Sequence, residues 1–404
     1  MTISDTRAAE SASVLVYTSR RNPDDVRDGR RPLSMTVVRE ITEAEKEYWN
    51  QGVRALALAD PLNAFEWGMV RSTDGWNPIY LCAERSGRFC GAMMILRKKL
   101  PLALFTILYA QEMPVWDYDD DETLSALIDA AIAIGKRENA IFLRINPSIP
   151  EAMMGGENDK FVPLGFRHLE HRWSFWNSPR DVARVDLTVF DSPQHFFERL
   201  PKNTRGSSRK ARREGVVIEP AATKTDLAQF YEMFRQFSLE RNFMVRDYAY
   251  QEKLWDTYLQ QGMGRLLVAR YQGRVIGGSL DLMFAGKCLG MHGGSLHAYR
   301  GLGIDDAVNS EVIMWAKEQG CAWYSFRGLG STASQEAYKR KFMISVVPLV
   351  GYYDLPFKPV LYRLFFWAEF TLLPFSWPLL IRVRRLASRA MKSFARLAPA
   401  GTQT

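Results

Sequence analysis

The chain has 404 residues, 47% of them hydrophobic and 24% charged, which is typical of a globular protein long enough for two domains. Its net charge is +8, but residues 355–404 carry eight Lys or Arg and one acid, so the rest of the chain is nearly neutral. The four cysteines form no Cys-x-x-Cys pair and the five histidines no ligand-spaced cluster, so we predict no metal site and free, buried thiols in a reducing cytosol.

The first half of the chain predicts a disordered segment followed by an α/β domain. Residues 1–34 mix charged residues with Pro, Ser and Gly and show no period, which is typical of disorder. The polar N-terminus lacks an apolar run, so we expect no signal peptide. Helical patterns then cover about 41–59, 63–70 and 124–134, and strand patterns cover 79–85, 89–100, 104–109 and 141–145. We predict that this first domain covers residues 35–187.

A dense basic segment opens the second predicted domain, 188–343. Seven basic residues lie within fifteen positions: Arg199, Lys202, Arg205, Arg209, Lys210, Arg212 and Arg213. Such a segment favours a polyanion, such as tRNA or a nucleotide-linked sugar, although a solvated helix face gives the same pattern.

Strands, a glycine turn and a helix follow in the second domain. Residues 265–270 and 275–282 predict a hairpin, a strand follows from Cys288, and a helix over 307–316 precedes a strand at 322–326. This order resembles the central unit of the GNAT N-acyltransferases, in which the glycine turn and helix N-terminus hold the pyrophosphate of acyl-CoA. Here Asp305 and Asp306 occupy that helix start. They would cap the helix but repel a pyrophosphate, so the CoA site is predicted to have decayed.

The C-terminal part of the chain predicts a returning strand and a tail. The apolar run 344–349 should be a strand that crosses back and, with residues up to about 362, completes the first domain. The tail, 363–404, begins with an apolar stretch containing Glu369 and two prolines and continues with six basic residues among apolar ones. We predict that it lies on the inner face of an anionic membrane. Packing against the first domain and a true membrane span are the alternatives.

A second resemblance, to the FemABX aminoacyltransferases, covers roughly residues 63–362. These enzymes add amino acids from aminoacyl-tRNA to peptidoglycan precursors, are built from two GNAT-like domains, and do not use CoA. Their landmarks are similar in order and spacing to Asn63-x-x-x-Trp67 with Arg71 and Gly75-Trp76, Tyr109 with Pro114-Val115 and Asp117, Phe142 to Pro147, Thr204-Arg205 with Arg209-Lys210-Ala211 and Gly215-Val216, Arg246 and Tyr250, Gly294-Ser295 with Tyr299-Arg300, and Tyr338-Lys339 with Phe342. Met113 and Asn146 depart from the family pattern, standing where it has glycine and aspartate.

The resemblance implies an α/β (α+β) fold of two GNAT-like domains with mixed sheets and no coiled-coil arm. It implies an aminoacyltransferase without a cofactor, whose partners are aminoacyl-tRNA and a nucleotide- or lipid-linked muropeptide in the cytoplasm, beside the cell membrane. Lys339 aligns with the family's lysine and is the candidate for stabilising the oxyanion. The substrate-binding residues implied are Arg71, Tyr109, Arg205, Arg209, Lys210, Arg246, Tyr250, Ser295, Tyr299 and Arg300.

Two other classes of function stay open at this point. An acyl-CoA N-acyltransferase for polysaccharide or secondary-metabolite assembly would use the same scaffold with its glycine turn intact. A non-catalytic scaffold that binds tRNA or an envelope precursor would keep the arginines without a functional Lys339. No Ser-His-Asp or Cys-His set is evident, which favours direct transfer without a covalent intermediate.

Overall fold

The computed structural model describes residues 16–18, 35–100, 104–154, 159–169, 179–330 and 332–372. Sixteen strands are assigned in this part of the chain: β1 (Val16–Thr18), β2 (Val37–Ile41), β3 (Asn77–Arg85), β4 (Arg88–Lys99), β5 (Thr106–Gln111), β6 (Val115–Trp116), β7 (Ala140–Asn146), β8 (Arg167–Leu169), β9 (Asp181–Asp186), β10 (Val217–Pro220), β11 (Gly264–Tyr271), β12 (Arg274–Phe284), β13 (Lys287–Ser295), β14 (Trp323–Gly328), β15 (Ser345–Pro348) and β16 (Tyr352–Pro356).

Ten α-helices pack with these strands in the described part of the chain. They are α1 (Lys46–Arg54), α2 (Phe65–Ser72), α3 (Asp121–Arg137), α4 (Pro193–Arg199), α5 (Lys202–Arg213), α6 (Lys224–Arg241), α7 (Tyr248–Thr257), α8 (Ile304–Glu318), α9 (Ala333–Arg340) and α10 (Pro359–Trp367). A single π-helical turn, Ala368–Leu372, follows α10. None of the helices in the described ranges is both long and apolar enough to cross a membrane.

The strands form two mixed sheets with matching patterns. The first has the order β1-β2-β3-β4-β5-β7-β16-β8, with β6 paired to β4, and the second has the order β10-β11-β12-β13-β14-β9-β15. Each sheet contains one parallel pair, β5 with β7 and β13 with β14, and its other pairs are antiparallel. A helix connects the parallel strands in both cases, α3 in the first sheet and α8 in the second. The structure therefore shows a repeat that is not visible in the sequence.

The connecting helices show why these segments are helical. The carboxylate of Asp120 caps α3 by accepting from the backbone N–H of Thr123 at 3.1 Å, and Lys136 and Arg137 lie in the last turn. The helix buries Leu124, Leu127, Ala131 and Ile134, as their spacing predicts.

The boundaries of the predicted domains differ from the strand pairings at two places. Strand β9 belongs to the range assigned to the first domain, yet it pairs with β14 in the second sheet. Strand β15, predicted to cross back, also pairs with β9, and the chain enters the first sheet at β16, between β7 and β8. An apolar run identifies a strand but does not reveal which sheet edge is open to it. The predicted division into separate domains itself stays a prediction.

Both ends of the chain also differ from the predictions. Val16–Thr18, within the segment predicted to be disordered, is a strand that pairs with β2. The first ten residues of the predicted membrane tail, 363–372, belong to α10 and the π-helical turn, and Glu369 is buried against the first sheet. The remainder of both predictions falls on residues outside the described ranges.

Candidate functional site

Four of the predicted substrate-binding residues lie close together: Arg71, Tyr109, Arg246 and Tyr250. They meet where α2 and β5, in the half of the molecule that contains the first sheet, face α7 in the other half. We call Arg71, Asp74, Tyr109, Arg246 and Tyr250 the arginine–tyrosine cluster. The carboxylate of Asp74 is 2.5 Å from Nη1 of Arg246 and 3.3 Å from Nε of Arg71. The guanidinium of Arg246 lies over the ring of Tyr250, 5.1 Å from its centroid. Two guanidinium groups share one carboxylate, so the cluster keeps a net positive charge that suits an anion.

The local sequence explains how these side chains are presented. Arg71 lies in the last turn of α2, and the turn that follows passes through Gly75, whose φ of +75° is one that glycine adopts readily. Asp247 caps α7 by accepting from the N–H of Tyr250 at 3.0 Å. Arg246 is thereby left to reach across to the other half of the molecule, rather than pairing with Asp247 or capping the helix itself.

Burial affects the two innermost groups of the cluster. It lowers the pKa of Arg71, against the opposing effects of Tyr250 and Asp74. It raises the pKa of Tyr250, which the charges of Arg246, Arg71 and Arg327 oppose. Positive charge therefore surrounds a neutral phenol, an arrangement in which an incoming anion can be held by ionic and hydrogen bonds together.

Lys339, the predicted catalytic residue, is half-buried on α9 and already has hydrogen-bond partners. Its Nζ donates to the carbonyl of Phe326 at 3.2 Å and to the carbonyl of Gly328. Burial lowers its pKa to about 8, so the ammonium form still predominates at neutral pH. An ammonium group has three N–H donors, and two carbonyls leave one for another acceptor. Lys339 is therefore a partly buried, hydrogen-bonded cation rather than an exposed surface lysine.

The glycine turn and the start of α8 form a second group beside α9. Ser295 is buried and Arg300 is exposed. Burial raises the pKa of Asp305, and Ser295 and Arg300 partly oppose this rise. Asn309 on α8 donates to the hydroxyl of Tyr338, the residue before Lys339. Tyr299 packs edge-on against Tyr271, with ring centroids 6.1 Å apart. The Asn309–Tyr338 hydrogen bond thus connects the helix that follows Ser295 and Arg300 to the helix that carries Lys339.

Helix α5 packs across the N-terminal half of α8. A Cβ atom added to Gly303, whose φ is +77°, would come within 2.5 Å of the carbonyl oxygen of Ser207. Further along, the hydroxyls of Ser208 and Ser310 are 3.3 Å apart. The start of α8 therefore carries two carboxylates and also has another helix against it, which disfavours a pyrophosphate there.

The basic residues of α5 lie mostly on its outer side. Arg209 and Lys210 are exposed, and Arg205 is half-buried. The guanidinium of Arg209 lies over the ring of Phe197, and Arg212 pairs with Glu311. The exposed cations of this helix therefore lie next to the glycine turn rather than in the arginine–tyrosine cluster. Between α5 and α6, residues 214–223 hold the short strand β10.

Two residues near these groups were not predicted from sequence. Asp74 bridges Arg71 and Arg246, and the signal for it was an acid in the turn between motif residues Arg71 and Gly75. Arg327 is the next-to-last residue of β14, and its charge is close enough to affect the pKa of Tyr250, His292 and Asp60. Within the described ranges, no group of three His, Cys, Asp or Glu side chains could hold a metal ion.

Comparisons with known proteins agree with the predicted fold and family. The model of the FemAB family matches residues 57–271, just over half of the chain. A "Lipid II:glycine glycyltransferase" of Staphylococcus aureus (strain MRSA252) is 24% identical over 219 residues, which are 54% of this chain and 52% of the relative. The chain thus spans about half the length of the curated relatives it matches.

Solved structures give the same answer for the fold. "Crystal structure of FemX" superposes with a TM-score of 0.71 at 18% identity, over 81% of this chain and 99% of that one. A "Tandem GNAT protein from the clavulanic acid biosynthesis pathway" reaches 0.50 at 13% identity, over 80% and 98%. These likenesses confirm the predicted α/β fold of two GNAT-like units with mixed sheets.

Proposed function

Because the chain belongs to the FemAB family, we propose that it is an aminoacyltransferase that moves an amino acid from aminoacyl-tRNA to an amine of a peptidoglycan precursor. The observation that carries this proposal is the arginine–tyrosine cluster, where both halves of the chain contribute arginines that share one carboxylate and keep a net positive charge. The glycyltransferase relative is named for lipid II, a precursor of this class. A phosphate of the precursor is the anion we assign to the cluster.

The proposed reaction is direct transfer. The amine nitrogen attacks the ester carbonyl, a C–N bond forms, and the C–O bond to the tRNA ribose breaks. The proton that the amine loses passes to the departing ribose oxygen, which leaves as a neutral hydroxyl. We assign the remaining N–H of Lys339 to the oxyanion that develops on the carbonyl oxygen. The exposed cations of α5, Arg209 and Lys210 among them, would attract the tRNA backbone. Ser295, Tyr299 and Arg300 would contact the substrate end near Lys339.

We further propose that the enzyme works in the cytoplasm beside the cell membrane. The described face of α10 exposes Val360, Leu364 and Trp367, and the basic and apolar residues that follow in sequence have the composition of a segment that binds anionic lipid. A membrane-bound precursor would be within reach there.

The second candidate is acyl-CoA-dependent transfer on the same scaffold. The observation that favours it is the likeness of the fold to that of a tandem GNAT protein. The two carboxylates at the start of α8 and the contact with α5 argue against it. A test must therefore compare both donors directly.

The deciding experiment supplies charged tRNA and a uridine diphosphate-linked muramyl pentapeptide, then repeats the assay with acetyl-CoA. We expect transfer from the tRNA and none from acetyl-CoA. Arg246→Ala should raise the KM for the precursor about tenfold or more, since a charged hydrogen-bond partner is lost. Arg235→Ala, which removes an exposed arginine paired within α6, is the matched control and should leave KM unchanged. Acetyl transfer alone would make the second candidate the function.

A further inference from the structure

The ammonium group of Lys339 holds the backbone on both sides of a single residue, Arg327. The two carbonyls that accept from its Nζ belong to Phe326 and Gly328. Arg327 itself has a φ of +58°, a left-handed conformation that is uncommon for residues other than glycine. The backbone N–H of Arg327 donates to the hydroxyl of Ser325 at 3.0 Å. The conformation of this one residue is therefore fixed by three hydrogen bonds around it.

The same residue lies at an irregularity in the second sheet. The pairing of β14 with β9 shifts register between Ser325 and Gly328. Such bulges turn a side chain away from the direction it would have in a regular strand. Here the side chain turned out of the sheet is that of Arg327, and Lys339 stabilises the turned backbone.

The guanidinium of Arg327 faces the cleft between the two halves of the molecule. It lines a narrow pocket with a volume of about 20 Å³. The other charged and polar side chains there include Asp60, Glu112 and Ser148 from the half that contains the first sheet, and Arg184 on β9. Its Nη1 is 3.6 Å from the sulfur of Met291, and it forms no salt bridge with any residue in the described ranges. Arg327 is one of three cations, with Lys287 and Arg184, whose charges act on the nearby buried carboxyl group of Asp60. Its guanidinium can therefore also take up an incoming oxyanion.

The charge of Arg327 acts on groups of both neighbouring sites. Burial, Arg327 and Arg246 together lower the pKa of His292 to about 3, so this imidazole stays neutral. Arg327 also opposes the rise in the pKa of Tyr250. Arg246 lies over the ring of Tyr250, and the charges of Arg71 and Arg327 act on the same phenol. Arg327 therefore links the arginine–tyrosine cluster electrostatically to the backbone that Lys339 holds.

We propose that Arg327 binds an oxyanionic group of the acceptor, a phosphate or a carboxylate, and that Lys339 is its positioning residue. This inference rests on the proposed function and extends it. Lys339 would stabilise the oxyanion and would also hold Arg327 in position. It also predicts that substitutions of Lys339 act on acceptor binding through Arg327.

Binding titrations test the first part without requiring turnover. The probes are uridine diphosphate-linked muramyl pentapeptide, uridine diphosphate alone and the free pentapeptide. Arg327→Ala should weaken binding of the complete precursor about tenfold or more. A matching loss with uridine diphosphate identifies a phosphate, and a matching loss with the pentapeptide identifies a carboxylate. Unchanged affinity for all three probes overturns the proposal, as does wild-type protein that binds none of them.

A double-mutant cycle tests the second part. Lys339→Met should weaken precursor binding in the wild-type background and cause no further loss in the Arg327→Ala background. Independent, additive losses would reject the positioning role. Lys341→Met, the same change two residues away at a side chain 3.6 Å from Asp306, should leave affinity unchanged. If Lys339→Met has no cooperative melting transition, Lys339→Arg is used in its place. Any loss of precursor affinity that Lys339→Arg causes must then be absent in the Arg327→Ala background.

The two proposals fail in different ways. Protein that binds the precursor through Arg327 but transfers no amino acid to it would reject the proposed function and leave this inference standing. If Arg327→Ala transfers the amino acid with an unchanged KM for the precursor, the proposed function stands and the role of Arg327 is rejected.

Discussion

Asp281 is a carboxyl group that the second sheet buries completely. It lies on β12, and its Oδ1 accepts from the hydroxyl of Tyr324 at 2.9 Å. Burial raises its pKa to about 7, while Ser279, Tyr324 and Arg265 oppose the rise. Since the folded-state pKa is above that of the unfolded chain, the folded state holds the proton more tightly. Stability conferred by the neutral acid is therefore lost as the pH rises from about 4 to 7.

We expect Asp281→Asn to remove this loss. The amide keeps an oxygen that can accept from Tyr324 and has no charge to bury. At pH 8 the variant should exceed the wild type in free energy of unfolding by up to about 4 kcal/mol, and the difference should shrink towards pH 4. Denaturant titrations across this range measure it. Asp119→Asn, at an exposed carboxylate, is the control. Parallel pH profiles for both variants would contradict the prediction.

Among single residues, the sequence predicted those that belong to a recognisable motif. It missed those whose role depends on a partner far away in the chain. Arg246 and Tyr250 were predicted from a short motif, and they do meet Arg71 and Tyr109. Asp74 was missed because its link to Arg246 crosses more than 170 residues of chain. Lys339 was predicted to stabilise the oxyanion, and no pattern around it showed that its partners would be the carbonyls beside Arg327.

At the scale of elements, a buried ionic contact fixes the C-terminal helix to the first sheet. Arg144 on β7 donates to both carboxylate oxygens of Asp354 on β16, at 2.7 and 2.8 Å, and to Glu369 at 2.6 Å. Tyr362 on α10 donates to Asp354 at 3.0 Å. Burial works to lower the pKa of Arg144, and the two carboxylates raise it overall. Strand β7 is thereby joined, at one guanidinium, to two segments that lie 210 and 225 residues later in the chain.

Arg144→Met should be strongly destabilising. It leaves two carboxylates buried without their cation, which typically costs about 3–5 kcal/mol of unfolding free energy. Denaturant titration measures this loss, and hydrogen exchange should show faster exchange of the amides of residues 359–372. Arg180→Met breaks the exposed pair with Glu151 and should cost no more than about 0.5 kcal/mol. Similar losses in the two variants would show that the contact does not hold the helix.

Periodicity predicted the helices and strands themselves better than it predicted which elements they contact. The hairpin of β11 and β12, the helix α8 and the face of α3 follow from local spacing. Glu369 was read as the one acid that weakens a membrane span, because Arg144 lies 225 residues earlier. Strand β15 was assigned to the wrong sheet for the same reason: pairing depends on an edge that only the folded molecule presents.

At the scale of the whole molecule, α10 carries an exposed apolar face at the point where residues 373–404 continue. Val360 is 71% exposed, Leu364 60% and Trp367 55%. The opposite face, with Tyr362 and Glu369, is buried against the first sheet. A truncation that tests the tail must therefore end after residue 372, so that the contact with Arg144 is kept.

We expect the full chain to float with anionic vesicles at low salt and the 1–372 variant to remain in the soluble fraction. The six basic residues of 382–396 should supply about 1 kcal/mol each near an anionic surface, and high salt should weaken the binding. Neutral vesicles serve as the control. Full-length protein that stays soluble with anionic vesicles would assign the tail to packing against the protein instead.

The position of β16 also has a consequence for how the protein is made. This strand fills the place between β7 and β8, yet about 200 residues separate it from β7 along the chain. At translation rates of about 5–20 residues per second, the edge of β7 waits roughly 10–40 s for its partner during synthesis. An open edge of buried-type residues invites pairing with other nascent chains. Slowing translation downstream of β7 should therefore lower the yield of native protein, and a holding chaperone should restore it.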